Sequence, residues 1–529
     1  MTETVDAVVV GAGHNGLVAA NVLADAGWSV LVLEAEPEPG GAVRSAEITA
    51  PGFSSDLCSA FYPLGYASPV LRELGLDSYG LTWKHAPLVL AHVLRDDRCV
   101  TLSRDIDETA ASLGSFAARD ADAWRAAFGQ WLRVRDDLLD SVMRPFPPVR
   151  PAAKLVRKIG VAEAFRLVRM MTLPVRRLGE ELFDGEGARV LLAGNALHTD
   201  LGPDNAGSGA FGWLLAMAGQ DVGFPVPAGG ADRITTALVR RFADRGGRVH
   251  CNRRVRDILV AGNRAMGVRD EHGELVRANR AVLADVPAPA LYRELVGEEH
   301  LPSRLLADLD RFQWDNATVK VDWALSGKIP WTAEEARRSG VVHLDADSDG
   351  LTAFGADLAR KRVPERPFLL LGQMTTTDPA RSPAGTESVW AYTHVPRGGH
   401  WDKSSLERYA DRIQAVVEQR APGFTGLIRA RCVQGPAELE EHNPSLVDGA
   451  INAGTAAIHQ QFVFRPVPGL SRADTPVDRL YLAGASAHPG GAVHGACGAN
   501  AARAALARNG FAGPLYGATI KAAHRTIYS

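Results

Sequence analysis

The chain has 529 residues and a mass of 56.5 kDa, enough for about three folding units and a core that needs no staples. Hydrophobic residues make up 46% and charged residues 22%, which excludes disordered and fibrous classes. A net charge of −3 excludes a nucleic-acid protein that works by overall charge.

Cys58, Cys99, Cys251, Cys432 and Cys497 lie far apart, with no CxxC or CxxxxC. A disulfide scaffold, a zinc ribbon and a redox-active dithiol are therefore excluded, and no metal site is expected. No run of about 18 uncharged apolar residues exists; the most apolar window, 206–219, is short and glycine-rich. The acidic start, Met-Thr-Glu-Thr-Val-Asp, has no cationic leader. A cytoplasmic protein is expected, soluble or peripheral on the inner face of the membrane.

Ala7 to Val10 is a continuous apolar run, as in a parallel strand buried on both faces. It enters Gly11-Ala12-Gly13-His14-Asn15-Gly16, and Leu17 to Ala26 then reads as a helix ended by Gly27. A second strand, Ser29 to Leu33, delivers Glu34 and Ala35. Strand, GxGxxG turn, helix, strand and acid together predict a dinucleotide fold. Gly11 makes the tight turn, Gly13 lets the backbone approach a pyrophosphate, and Gly16 allows close helix packing. The helix N-terminus offers free N–H groups to the phosphates. Glu34 is expected to accept hydrogen bonds from a ribose.

Glu38-Pro39-Gly40-Gly41-Ala42-Val43-Arg44 forms a second glycine turn, through which backbone and guanidinium can reach the far part of a longer cofactor. Alone, such a run also suits an ordinary surface turn.

From Arg144 to Arg177 nine basic residues stand against one acid, Glu163. At helical spacing Leu155, Val156, Ile159, Leu167, Met170 and Met171 share an arc opposite most of these charges, which predicts a basic amphipathic segment. It fits an anionic membrane surface, a solvated face or a subunit contact. The apolar Ala210 to Leu215 segment suits buried core or the lining of a tunnel.

Phe224 to Gly230 is a turn-rich junction, followed by a helix over Asp232 to Asp244. A strand meander follows, over Arg254 to Val260, Arg264 to Arg269 and Val276 to Ala284. Thr318 to Leu325 is β-like and carries Lys320, either on an ordinary exposed strand face or holding a water near a bound cofactor. Arg479 to Ala483 predicts a strand, followed by Gly484-Ala485-Ser486-Ala487-His488-Pro489-Gly490-Gly491. A helix over Val493 to Ala507 starts with small residues, Gly495, Ala496, Gly498 and Ala499, that permit close approach of a flat ring.

The Gly11 to Gly16 turn, Gly40-Gly41 with Arg44, Gly52-Phe53 with Asp56, the Lys320 to Gly327 run and the 484–491 loop together resemble the flavoprotein amine oxidase superfamily. Within it they are most similar to the carotenoid (phytoene) desaturase and FAD-type β-carotene ketolase group. One departure is Gly-Gly-Ala-Val-Arg, where many members carry arginine directly after the two glycines.

The resemblance implies an α/β fold of the glutathione reductase and amine oxidase kind. Its Rossmann-type FAD-binding domain would comprise residues 1–75, 228–300 and 475–529, interleaved with a mixed α+β substrate domain of residues 76–227 and 301–474. It implies non-covalent FAD, held by Gly11, Ala12, Gly13, His14, Asn15, Gly16, Glu34, Ala35, Gly40, Gly41, Ala42, Val43, Arg44, Val255, Gly484, Ala485, Gly491, Ala492 and Val493. Val255 equally suits a plain core strand.

His488 and His494 bracket the flavin loop and are the candidate proton acceptors; holding the loop backbone is the other role open to them. The expected activity is FAD-dependent oxidation of a long apolar, isoprenoid- or lipid-like substrate, with no nucleic-acid partner. An amine or amino-acid oxidase, and a flavin-binding structural or regulatory protein, remain open at this stage.

Overall fold

The computed structural model describes residues 3–469 and 471–529. Its principal elements begin with β1 (Glu3–Val10), α1 (His14–Asp25), β2 (Val30–Leu33), β3 (Leu88–Val93) and β4 (Cys99–Leu102). A helical stretch follows, with α2 (Asp120–Val142), α3 (Val149–Ile159), α4 (Val161–Thr172), α5 (Ser208–Val222) and α6 (Asp232–Ala243). Next come β5 (Arg248–His250), β6 (Val255–Ala261), β7 (Arg264–Asp270) and β8 (Leu275–Ala284). β9 (Ala317–Leu325), β10 (Ser339–Leu344), β11 (Leu369–Gln373) and β12 (Glu387–Val395) precede α7 (Lys403–Arg420) and β13 (Ile428–Gln434). β14 (Leu480–Leu482) and α8 (Ala496–Asn509) lie near the C-terminus.

One seven-stranded sheet has the order β6–β7–β8–β1–β2–β5, and β14 pairs with the far end of β8. β1, β2, β5, β8 and β14 are parallel, whereas β6, β7 and β8 form the antiparallel meander. Alternation sends Ala7, Val9, Val30 and Val32 into a core shared with α1, α6 and α8. Val8, Val10, Leu31 and Leu33 point the other way, into a core shared with the meander. Burial on both faces is why β1 and β2 read as unbroken apolar runs. The fold is α/β, as the sequence predicts.

The second seven-stranded sheet has the order β13–β9–β12–β11–β10–β3–β4, antiparallel except for β10 with β3. Val319, Val321, Val342 and Ala391 form one face, packed with Leu406 and Ile413 of α7. The alternate positions include the polar or aromatic Lys320, Asp322, His343, Trp390 and Tyr392. This second face meets the cavity described below.

Two elements depart from expectation. α8 starts at Ala496, because Gly495 before it is left-handed with φ +72°. The basic segment is not one helix: Gly160, with φ +83°, breaks it between α3 and α4. Within it Leu155, Leu167 and Met170 are buried in the core. Acids neutralise most of its charge: Asp137 faces Lys154 and Lys158, Asp140 faces Arg144, and Glu181 faces Arg169 and Arg177. Among the described residues, no helix is long and apolar enough to cross a membrane.

Candidate active site

β1 delivers the chain into Gly11, whose φ of +92° favours glycine. A Cβ on Gly11 would lie 2.8 Å from the Asp285 carbonyl oxygen, and one on Gly13 would lie 2.6 Å from Asp285 Oδ2. A Cβ on Gly16 would meet the Gly11 oxygen at 2.2 Å. The turn therefore packs against itself and the residue after β8, and no side chain fits there. α1 begins at His14 with Gly13 as its N-cap and no side-chain cap, which leaves N–H groups for an anion.

Glu34 is held at the end of β2 by β5 and the turn after it: its N–H donates to the His250 carbonyl, and its carbonyl accepts the Arg253 N–H. Its Oε2 accepts the Ala12 N–H at 2.6 Å and its Oε1 the Glu36 N–H at 2.9 Å. The second glycine turn folds back on the first, with the Gly40 N–H donating to the Ala12 carbonyl at 2.9 Å. Arg44 Nη2 donates to the His442 carbonyl at 2.7 Å and faces His442 Nε2 at 2.8 Å. Arg44, although later than the position directly after the two glycines, still reaches the cavity wall.

These loops open on one cavity of about 800 Å³. Gly11, Gly13, His14, Asn15, Glu34, Ala35, Gly41, Ala42, Arg44, Val255, Gly484, Ala485, Gly491, Ala492 and Val493 line it. Ala12, Gly16, Gly40 and Val43 do not: they pack behind, and Val43 accepts a hydrogen bond from Thr235. The residues fit FAD. The tightly packed glycine turns bring bare backbone to the cavity, and among the described residues His14 Nε2, Asn15 Oδ1, Arg44 Nε and Asn452 Nδ2 around it are buried without a protein partner.

Of the two roles open to the candidate histidines, His494 takes the structural one. His494 lines the cavity, but its Nδ1 accepts the Ala496 N–H at 3.0 Å. Burial, aided by His14, pushes its pKa down to about 3. His488 is not on the cavity wall; it packs near Phe146 and Phe462, and burial with Arg465 lowers it to about 4. Both imidazoles are neutral and weakly basic at pH 7, so neither suits the expected proton acceptor. His494 instead secures the start of α8.

The small residues of α8 also serve another purpose. A Cβ on Gly498 would lie 1.9 Å from the Asn15 carbonyl oxygen, so this glycine lets α8 pack on the glycine turn rather than on a flat ring. Lys320 is buried in an ion pair with Asp322 on the inner face of β9, not exposed. The Ala210 to Leu215 segment divides: Phe211, Leu214 and Leu215 line the cavity, whereas Gly212 and Trp213 are buried in the core.

Several wall residues escaped the sequence reading, among them Asp285, Leu139, Met143, Trp390, Tyr392 and His198. Asp285 had a signal: it directly follows the predicted strand Val276 to Ala284, which the structure pairs in parallel with β1, at the carboxyl end where α/β sheets bind ligands.

The fold and this cradle define a flavin-dependent oxidoreductase, and the profile of flavin containing amine oxidoreductase matches residues 16–506. The chain belongs to that family, and its cofactor is FAD. The rat pyridine nucleotide-disulfide oxidoreductase domain-containing protein 2 is 28% identical over 543 residues, spanning 94% of this chain and 92% of the relative. The zeta-carotene-forming phytoene desaturase of Myxococcus xanthus is 27% identical over 501 residues, spanning 91% and 90%. A putrescine oxidase structure with bound putrescine superposes with a TM-score of 0.60 at 17% identity, covering 96% of this chain and 99% of that one. At that identity the likeness concerns the fold.

Proposed function

We propose that this enzyme oxidises a long apolar, isoprenoid- or lipid-like molecule, as a desaturase does. The observation that carries the reading is the wall beyond the glycine turns. There α2 and α5 contribute Leu139, Val142, Phe211, Leu214 and Leu215, and no carboxylate. When bound, FAD supplies the acceptor for a hydride equivalent from a substrate C–H. The protein contributes position and dryness: apolar walls hold the chain in line and exclude water. The resemblance to a phytoene desaturase supports the same class of substrate.

A second reading, an amine oxidase, rests on Trp390 and Tyr392, which stack on the wall with centroids 5.8 Å apart. Aromatic faces of this kind attract an ammonium group. Anaerobic mixing separates the two. Bleaching of the flavin absorption by an isoprenoid hydrocarbon, and not by alkyl amines, is expected. Bleaching by amines alone would reverse the order, and bleaching by neither would favour a flavin-binding protein without turnover.

For the source of the substrate, we propose a peripheral encounter with an anionic membrane through α3 and α4. Val149, Val161, Phe165 and Val168 are exposed there beside Arg150 and Arg157.

A further inference from the structure

The cavity wall carries one imidazole that the reading above leaves unused. His198 lines the cavity, and its Nε2 lies 3.0 Å from Nε2 of His343 on β10. His343 is in register with His92 on the parallel neighbour β3, and their rings meet edge to face at 5.6 Å. His92 and His343 are fully buried.

Burial keeps all three neutral, with His198 pushed down to about 3 and His92 to about 4. Two neutral imidazoles in Nε2-to-Nε2 contact share one hydrogen, and their surroundings decide which ring donates. His92 Nε2 faces the Ala346 carbonyl at 2.6 Å, so its hydrogen sits there and its Nδ1 is bare. Nδ1 of His343 and Nδ1 of His92 both abut Gly194, where an added Cβ would stand 2.5 and 3.2 Å from them. Among the described residues neither nitrogen has a hydrogen-bond partner. A hydrogen on His343 Nδ1 would be a buried donor with no acceptor, whereas a bare nitrogen strands no donor. His343 therefore carries its hydrogen on Nε2 and donates to His198. The hydrogen of His198 must then sit on Nδ1, which makes no hydrogen bond among the described residues.

We propose that the His198 Nδ1–H is a fixed hydrogen-bond donor on the cavity wall, and that the substrate is an apolar chain bearing an oxygen acceptor such as a hydroxyl or carbonyl. This rests on the apolar-substrate reading and narrows it. Phe224 packs edge-on to His198 at 6.3 Å, and Leu215 and Val341 belong to the same wall. In such surroundings a donor left unmatched discriminates against a pure hydrocarbon.

The test titrates the FAD-loaded protein with geranylgeraniol and with the hydrocarbon of equal length that lacks the hydroxyl, reading the shift of the flavin absorption band. The alcohol should bind about tenfold tighter, the equivalent of one hydrogen bond of about 1.4 kcal/mol. His198→Phe should abolish the preference by weakening the alcohol alone, and His198→Gln, whose amide N–H can donate, should restore part of it. His343→Phe, which frees the tautomer of His198, should also reduce the preference and serves if His198→Phe does not fold. Equal binding of both probes to the wild type overturns the role of His198 but leaves the apolar reading standing. A flavin unmoved by either probe overturns both.

Discussion

Asp285 accepts the Gly16 backbone N–H through Oδ2 at 2.7 Å, across a separation of 269 residues. The contact sets a carboxyl group against the glycine turn that receives the diphosphate of FAD. Burial, chiefly, pushes Asp285 up to about 7; the Gly16 N–H opposes this and Glu34 adds to it. While neutral, the group can share the turn with phosphate oxygens; once ionised it repels them. A carboxyl whose folded pKa is raised adds stability fully below its unfolded pKa of about 3.9, and that stability is lost as pH rises through about 7. FAD release should therefore quicken from about pH 6 to about pH 8, and Asp285→Asn should flatten the profile. Fluorescence of released FAD measures both. Parallel profiles in the two proteins would assign the titration to another group.

Glu34 joins two jobs, since it holds the Ala12 and Glu36 N–H groups and stands ready for the ribose. Charged hydrogen bonds are worth about 1.5–3 kcal/mol each. Glu34→Ala should weaken FAD binding by about tenfold or more. Glu34→Gln keeps an oxygen for the Ala12 N–H and should lose less. Equilibrium FAD affinity of the two variants decides; unchanged affinity in Glu34→Ala would place the ribose contact elsewhere.

What the sequence makes legible here is local. Gly11 to Gly16, Glu34 and Gly40-Gly41 lie within a short stretch, and their chemistry shows in their spacing. Asp285, His198 and Trp390 reach the same cavity from strands and turns far apart in the chain, and only the pairing of sheets brings them together. The histidines near the flavin loop look like acid–base groups in sequence because burial is invisible there. The basic segment misleads for a related reason: its partners, Asp137, Asp140 and Glu181, lie on either side of it.

Gly498 tests the packing of α8 on the glycine turn. A methyl group there would stand 1.9 Å from the Asn15 carbonyl oxygen, which belongs to backbone and cannot swing aside. Gly498→Ala should therefore lower stability by about 1–3 kcal/mol, the range for overpacked cores, and loosen FAD because Asn15 belongs to its cradle. A thermal melt and the FAD-to-protein ratio report the two effects. A variant with wild-type melting and full FAD would show that α8 shifts without strain.

The membrane encounter now has a different set of residues from the arc that the sequence suggests. On α4, Val161, Phe165 and Val168 are 63%, 72% and 62% exposed, at i, i+4 and i+7, so they form one outward stripe. Leu167 and Met170 turn inward instead. Among the described residues, Arg150 and Arg157 have no acidic side chain within ion-pair distance, whereas Lys158 and Arg169 are paired. At about 1 kcal/mol per free basic residue, two arginines give modest attraction, and insertion of the apolar stripe must supply the rest. The protein should co-sediment with anionic liposomes, with partial release by high salt. Changing Val161, Phe165 and Val168 together to serine should abolish binding at full FAD content. Arg150→Glu with Arg157→Glu should weaken binding and remove its salt dependence. A wild-type protein that stays in the supernatant at low salt would rule out the membrane as the place where this enzyme meets its substrate.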